Sequence, residues 1–126
     1  MIVLTNIRDV SKFDYNEVWS ITRSNPNSRW MTWVPNLAPS WDLFRQYRRL
    51  KEAMQWNQNT FETVYRPIFT SEMESQQAKN KLSELIRKHN EGKKIALVCF
   101  CQDPNLCHRK IISEILNSLN VENILK

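Results

Sequence analysis

Residues 93–110, KKIALVCFCQDPNLCHRK, hold all three cysteines of the chain, one of its two histidines and a neighbouring arginine. Cys107 is the position best placed for chemistry. If a helix begins beside it, unpaired backbone N–H groups and the helix dipole stabilise negative charge on its sulfur. His108 and Arg109 add positive potential. Both effects pull a thiol pKa below its ordinary ~8.5 and favour the thiolate, the nucleophile of cysteine enzymes. Against a direct Cys107–His108 pair, adjacent residues within a helix point about 100° apart.

The same residues also suit anion binding. Arg109 at a helix N-terminus, with free backbone amides around it, matches a phosphate or carboxylate. Arg23 closes a second strand and Arg29 lies in the loop after it. If strands 18–23 and 95–101 are parallel neighbours, Arg23 and Cys107 converge at one sheet edge. Tyr65 is a further candidate for ligand binding, and His108 either positions the ligand or donates to it.

Other chemistries fit less well. Cys99, Cys101, Cys107 and His108 make a zinc complement of three sulfurs and one nitrogen, but no C-x2-C knuckle is present. Neither a metal nor a cofactor is expected. The arginine spacing of cysteine phosphatases is missing: Cys107 stands at the matching distance after Cys101, and Asn105 after Cys99. Cys99 lies inside an apolar run and reads as a core thiol.

The elements that must position these residues can be read from patterning. Ile2–Asn6 and Val18–Arg23 read as strands. Residues 24–40 form a long irregular stretch with Pro26, Pro35 and Pro39. Trp30, Trp33 and Trp41 lie in or beside it with Arg29. Stacking on bases is one role for these rings; closing the core beneath the loop is the simpler one. Ser40 can cap a helix from Trp41 to about Gln55, with Leu43, Tyr47, Leu50 and Met54 on one stripe. A short helix carries Phe61, Val64 and Tyr65 and should end before Pro67. Ser71 and Glu74 form a capping-box pattern for a helix to Asn90, and Gly92 follows as a stop.

Ile95–Cys101 is apolar on both alternations, as in a central parallel strand covered on both faces. His108–Leu119 is then a helix, and Val121–Leu125 a last short strand. Strands alternating with helices in this order predict a single α/β domain over residues 1–126, with a small, largely parallel sheet flanked by helices.

Composition narrows the function classes. The chain has 126 residues, enough for one core, and 41% are hydrophobic. A single glycine argues against glycine-rich phosphate loops and hairpin-rich β folds. The net charge of +5 suits an anionic partner, either a phosphate-bearing small molecule or a nucleic acid. Clustered, odd-numbered cysteines suit reduced thiols. With no membrane-length apolar run and no basic-then-apolar leader, a cytoplasmic protein without a membrane partner is expected.

The segment ALVCFCQDPNLCHRKIISEIL resembles the signature of the family called domain of unknown function 488. That signature is an apolar strand ending in Cys, an acidic or Asp-Pro loop, then Cys-His-Arg opening a helix. Here it falls on Cys99, Asp103, Pro104, Cys107, His108 and Arg109. SITRSNP, NLAPSWDLFRQYR and FETVYRPIF resemble further segments of one branch, at Arg23, Pro26, Leu37–Ser40 and Tyr65. Cys101 departs from the family, which commonly has Glu or another residue there. The resemblance implies a small α/β fold and no settled activity. Three functions therefore stay open: binding of a phosphate-bearing nucleotide or nucleic acid, a cysteine enzyme acting through Cys107 and His108, or an interaction module whose cysteines only pack.

Overall fold

The apolar run is strand β4, Ile95–Cys99, and all five of its residues are buried. In the computed structural model, which describes residues 1–126, β4 lies at the centre of a five-stranded sheet. Its neighbours are β1 (Ile2–Asn6), paired Ile2 to Ile95 through Asn6 to Cys99, and β2 (Glu17–Ser20), paired Glu17 to Ile95. β3 (Thr32–Trp33) and β5 (Asn123–Leu125) complete the order β3-β2-β4-β1-β5, and every pairing is parallel.

Five helices accompany the sheet: α1 (Trp41–Glu52), α2 (Gln58–Thr60), α3 (Arg66–Glu72), α4 (Gln76–Asn90) and α5 (His108–Ser118). The alternation of β4 explains why both of its faces are apolar. Ile95, Leu97 and Cys99 join the main core with Leu43, Phe69, Leu85 and Ile112 from the helices. Ala96 and Val98 pack with Val18 in a smaller cluster on the other face, against Ile7, Val10, Tyr15 and Met31. No helix is long and apolar enough to cross a membrane.

Several boundaries differ from the sequence reading, each for a physical reason. The predicted strand 18–23 stops at Ser20, where the Ser20 and Thr22 hydroxyls bond at 2.8 Å and Thr22 donates to the Ser24 carbonyl. Side chain-to-backbone bonds of this kind turn a chain out of a sheet. The predicted strand 95–101 likewise ends at Cys99. Trp30, Trp33 and Trp41 do not close the core; they are 40%, 38% and 50% exposed. On the stripe of α1 Leu43 is buried, Tyr47 and Leu50 are half-buried, and Met54 lies beyond the helix end at Glu52 and is exposed.

Pro67 does not stop a helix. A π-helical turn, Phe61–Tyr65, leads straight into α3, with the Arg66 N–H donating to the Phe61 carbonyl. Pro67 then sits in the first turn of α3, where its missing N–H costs little. Phe61, Tyr65, Phe69 and Met73 are all buried along this run. That continuous apolar stripe carries the helix past Ser71, so the predicted Ser71–Glu74 capping box does not form. The cap of α4 is Ser75, whose hydroxyl accepts from the Ala78 N–H at 3.2 Å. Ser75→Ala should cost about 1 kcal/mol in a thermal melt, whereas Ser71→Ala should cost much less.

Candidate active site

β2 and β4 lie side by side, but their onward connections run opposite ways: β2 leads outward to β3, and β4 leads across to β5 beyond β1. A crevice opens between the C-terminal ends of two such strands, and α/β proteins place ligands there. The chain leaving β2 brings Thr22 and Arg23 to this crevice. The chain leaving β4 brings Cys99, Phe100 and Cys101, and the loop then returns Cys107 and His108.

Cys107 is the N-cap of α5, with extended backbone (φ −136°, ψ 151°) and no side-chain capping bond. It therefore stands outside the helix, and the 100° separation of helical neighbours does not apply to it. Its Sγ lies 3.5 Å from Nδ1 of His108, so the two side chains meet directly. His108 is held from behind. Its Nε2 is 2.8 Å from the Ile21 carbonyl, which can only accept, so Nε2 carries hydrogen and Nδ1 is left facing the sulfur. The ring packs edge-on against Phe69 at 5.4 Å.

Cys99 completes a close trio, its Sγ 3.2 Å from that of Cys107. Burial by itself pushes the Cys107 thiol up. Hydrogen bonds from the Cys101 and Cys99 thiols and the charge of His108 outweigh it, holding Cys107 well below the ordinary thiol range. Burial lowers His108, but the Cys107 charge and the bonds to the thiols dominate and raise it to about 10. Cys99 is relieved by a hydrogen bond from Cys101, yet its bond to Cys107 and its burial win and push it up to about 12. The bonds to Cys107 and Cys99, with burial, raise Cys101 as well. These shifts run in directions that favour negative charge on Cys107 and positive charge on His108, with Cys99 and Cys101 held toward the neutral thiol.

Arg109 lies apart from this cavity. It is 1% exposed, and its guanidinium donates to the backbone oxygens of Cys101 (2.7 Å) and Lys126 (3.0 Å), with Nε 3.5 Å from the Cys107 sulfur. Asn6 donates to the Cys101 carbonyl as well, at 2.8 Å. Arg109 is therefore a clamp on the loop and on Lys126 after β5, with each of its three nitrogens turned to a protein partner.

The cavity over the thiols is about 80 Å³. Arg23 and Tyr65 line it, as the sequence suggests; Arg29 is exposed and outside it. Arg23 donates to the Pro39 carbonyl at 3.1 Å and lies against the Trp41 ring, while its buried Nε has no partner. Five aromatic side chains stand in the wall, and of these the sequence reading singles out only Tyr65 as a site residue. Tyr47 and Trp56 meet edge-on at 4.8 Å, Trp56 and Tyr65 at 5.4 Å, and Phe44 and Phe100 stand beside them. The one available signal is the apolar stripe of α1, which includes Tyr47.

The donor atoms of Cys99, Cys101, Cys107 and His108 all lie within 4.8 Å of one another. The spacing argument against a metal is thus weaker than the sequence suggests, because the loop folds back and brings four ligands together without a knuckle.

No curated protein and no solved structure matches the chain. The Cys-His-Arg signature, the strand before it and the fold around them agree with a family match that extends well beyond the motif. The family model DUF488-N3a, described as the active DUF488-N3 subclade, matches residues 8–120, and the chain belongs to this family.

Proposed function

We propose that the protein is a cysteine-dependent enzyme with Cys107 as nucleophile and His108 as its proton-holding partner. The observation that carries this reading is the direct contact of Cys107 Sγ with His108 Nδ1 at the base of an aromatic cavity. In the reaction, a lone pair on the Cys107 sulfur forms a bond to an electrophilic carbon. The leaving group departs with the electron pair of the broken bond and takes the Nδ1 proton of His108, which becomes neutral.

The test is alkylation by iodoacetamide from about pH 5 to about pH 9, followed by mass spectrometry. The Cys107 thiolate should persist as pH falls, since its pKa is depressed. Cys107 should react with a midpoint well below ~8.5, whereas Cys99 should stay inert. His108→Gln should move that midpoint toward ~8.5. A Cys107 midpoint that begins at the ordinary value overturns the proposal.

The convergence of four ligand atoms favours a second reading, a zinc ion held by Cys99, Cys101, Cys107 and His108. A histidine whose other nitrogen donates to a backbone carbonyl is the usual orientation of a metal ligand. Three thiolates and a divalent ion would leave one negative charge, which the neighbouring Arg109 offsets. In that case Cys107 should resist alkylation until a chelator is added, and one equivalent of metal should be released.

A further inference from the structure

The aromatic cavity opens into a wider basin of about 710 Å³, with Phe44, Tyr47, Trp56, Phe100, Cys101 and Leu106 common to both. Three cations line the basin: Arg8, Arg48 and Lys51. None of them is in an ion pair, although α1 and α4 form several such pairs elsewhere. The Arg48 guanidinium lies 5.9 Å from the Phe44 ring centre and the Lys51 ammonium 5.4 Å from that of Tyr47. Positive charge is thus held over two rings that also wall the inner cavity. Glu52 and Asp103 line the basin too, and Asp103 is partly occupied in accepting from the Asn105 N–H at 2.9 Å. Cations remain in excess.

We infer that the substrate is a nucleotide unit, its planar base in the aromatic cavity and its phosphate in the basin with Arg8, Arg48 and Lys51. The inference rests on the proposed use of this cavity as the active site. Phosphate suits these groups because arginine and lysine meet its oxygens with charge-assisted hydrogen bonds. A nucleobase suits the inner cavity on two counts. Its faces stack on aromatic side chains. Its polar edge offers acceptors, and Arg23, one of the residues that line the cavity, has a buried Nε donor without a partner. A plain hydrocarbon ring would leave that donor unsatisfied. The phosphate site so assigned uses none of the arginines that the motif itself presents, since Arg109 is consumed by backbone carbonyls.

Calorimetric titration of the full chain tests this. The probes are the common ribonucleoside 5′-monophosphates, their nucleosides, ribose 5-phosphate, and a short single-stranded oligonucleotide. At least one monophosphate should bind about tenfold or more tighter than its nucleoside and than ribose 5-phosphate. The Arg48→Ala, Lys51→Ala double variant, changed only at exposed positions of α1, should erase the advantage of the monophosphate over the nucleoside. Tighter binding of the oligonucleotide assigns the nucleotide unit to a nucleic-acid strand; equal or weaker binding assigns it to a free nucleotide. Equal affinities for monophosphate and nucleoside overturn the inference, as does the absence of binding by every probe. Phosphate-dependent binding together with an ordinary Cys107 titration would overturn the enzyme reading and leave the nucleotide site standing.

Discussion

Arg109→Met should lower the folding free energy by about 3 kcal/mol or more, read as a reduced urea midpoint with an unchanged slope. The substitution keeps an apolar stem of similar length, so the loss reports the guanidinium. That group is buried and satisfies two backbone oxygens from parts of the chain far apart, Cys101 in the loop and Lys126 after β5. Without it both oxygens lose a strong donor, although Asn6 still serves Cys101. The Cys107 sulfur loses a cation 3.5 Å away, so its alkylation midpoint should rise as well. Arg109→Lys should recover only part of either effect, since one ammonium cannot span both carbonyls and the sulfur in a planar fork.

Phe69→Ala should cost about 3–5 kcal/mol in the same experiment. Phe69 is fully buried, stacks on Tyr65 at 6.0 Å and meets His108 edge-on at 5.4 Å. The change leaves a void between α3 and α5 and removes the surface that fixes the imidazole plane. A second effect should follow at the thiol. A His108 ring freed to tilt holds Nδ1 less steadily against Cys107, so alkylation should lose its low-pH component while the protein is still folded. Phe13→Ala is the matching control. Phe13 is 86% exposed, and its loss should fall within about 0.5 kcal/mol.

How far the site is legible in the sequence depends on whether its parts are local. Cys99, Cys107, His108 and Arg109 lie within one strand-loop-helix unit, so their convergence can be read from order alone. The central parallel strand is legible for a similar reason, because burial on both faces leaves no polar alternation in Ile95–Cys99. The role of Arg109 is not legible. A basic residue at a helix start looks like an anion site until the path of β5 is known, and the Lys126 oxygen that engages it follows directly after β5.

The aromatic wall is hidden for the same reason. Trp56 sits in the connection after α1 and reaches Tyr47 and Tyr65 only through the packing of α1 against the π-helical turn. The direct Cys107–His108 contact hinges on one residue of boundary. Inside α5 the two side chains would diverge, and with Cys107 as the extended N-cap they meet. Cap positions are where sequence reading is least exact, and here the chemistry turns on one.

The sheet order also has a consequence for how the chain is made. β1 is made before the other strands of this sheet, yet its two partners are β4 and β5, some ninety residues or more further along. Until those arrive, Ile2–Asn6 is an apolar segment with no edge to join. Only β2 and β3 are neighbours both in sequence and in the sheet, and they share just two register positions. Assembly must therefore wait for long-range pairing, which is slow. A nascent chain stalled before β4 would offer an unpaired apolar strand to chaperones, and the thiols would meet only after β4 and α5 had both been made, when the fold that shields them closes around them.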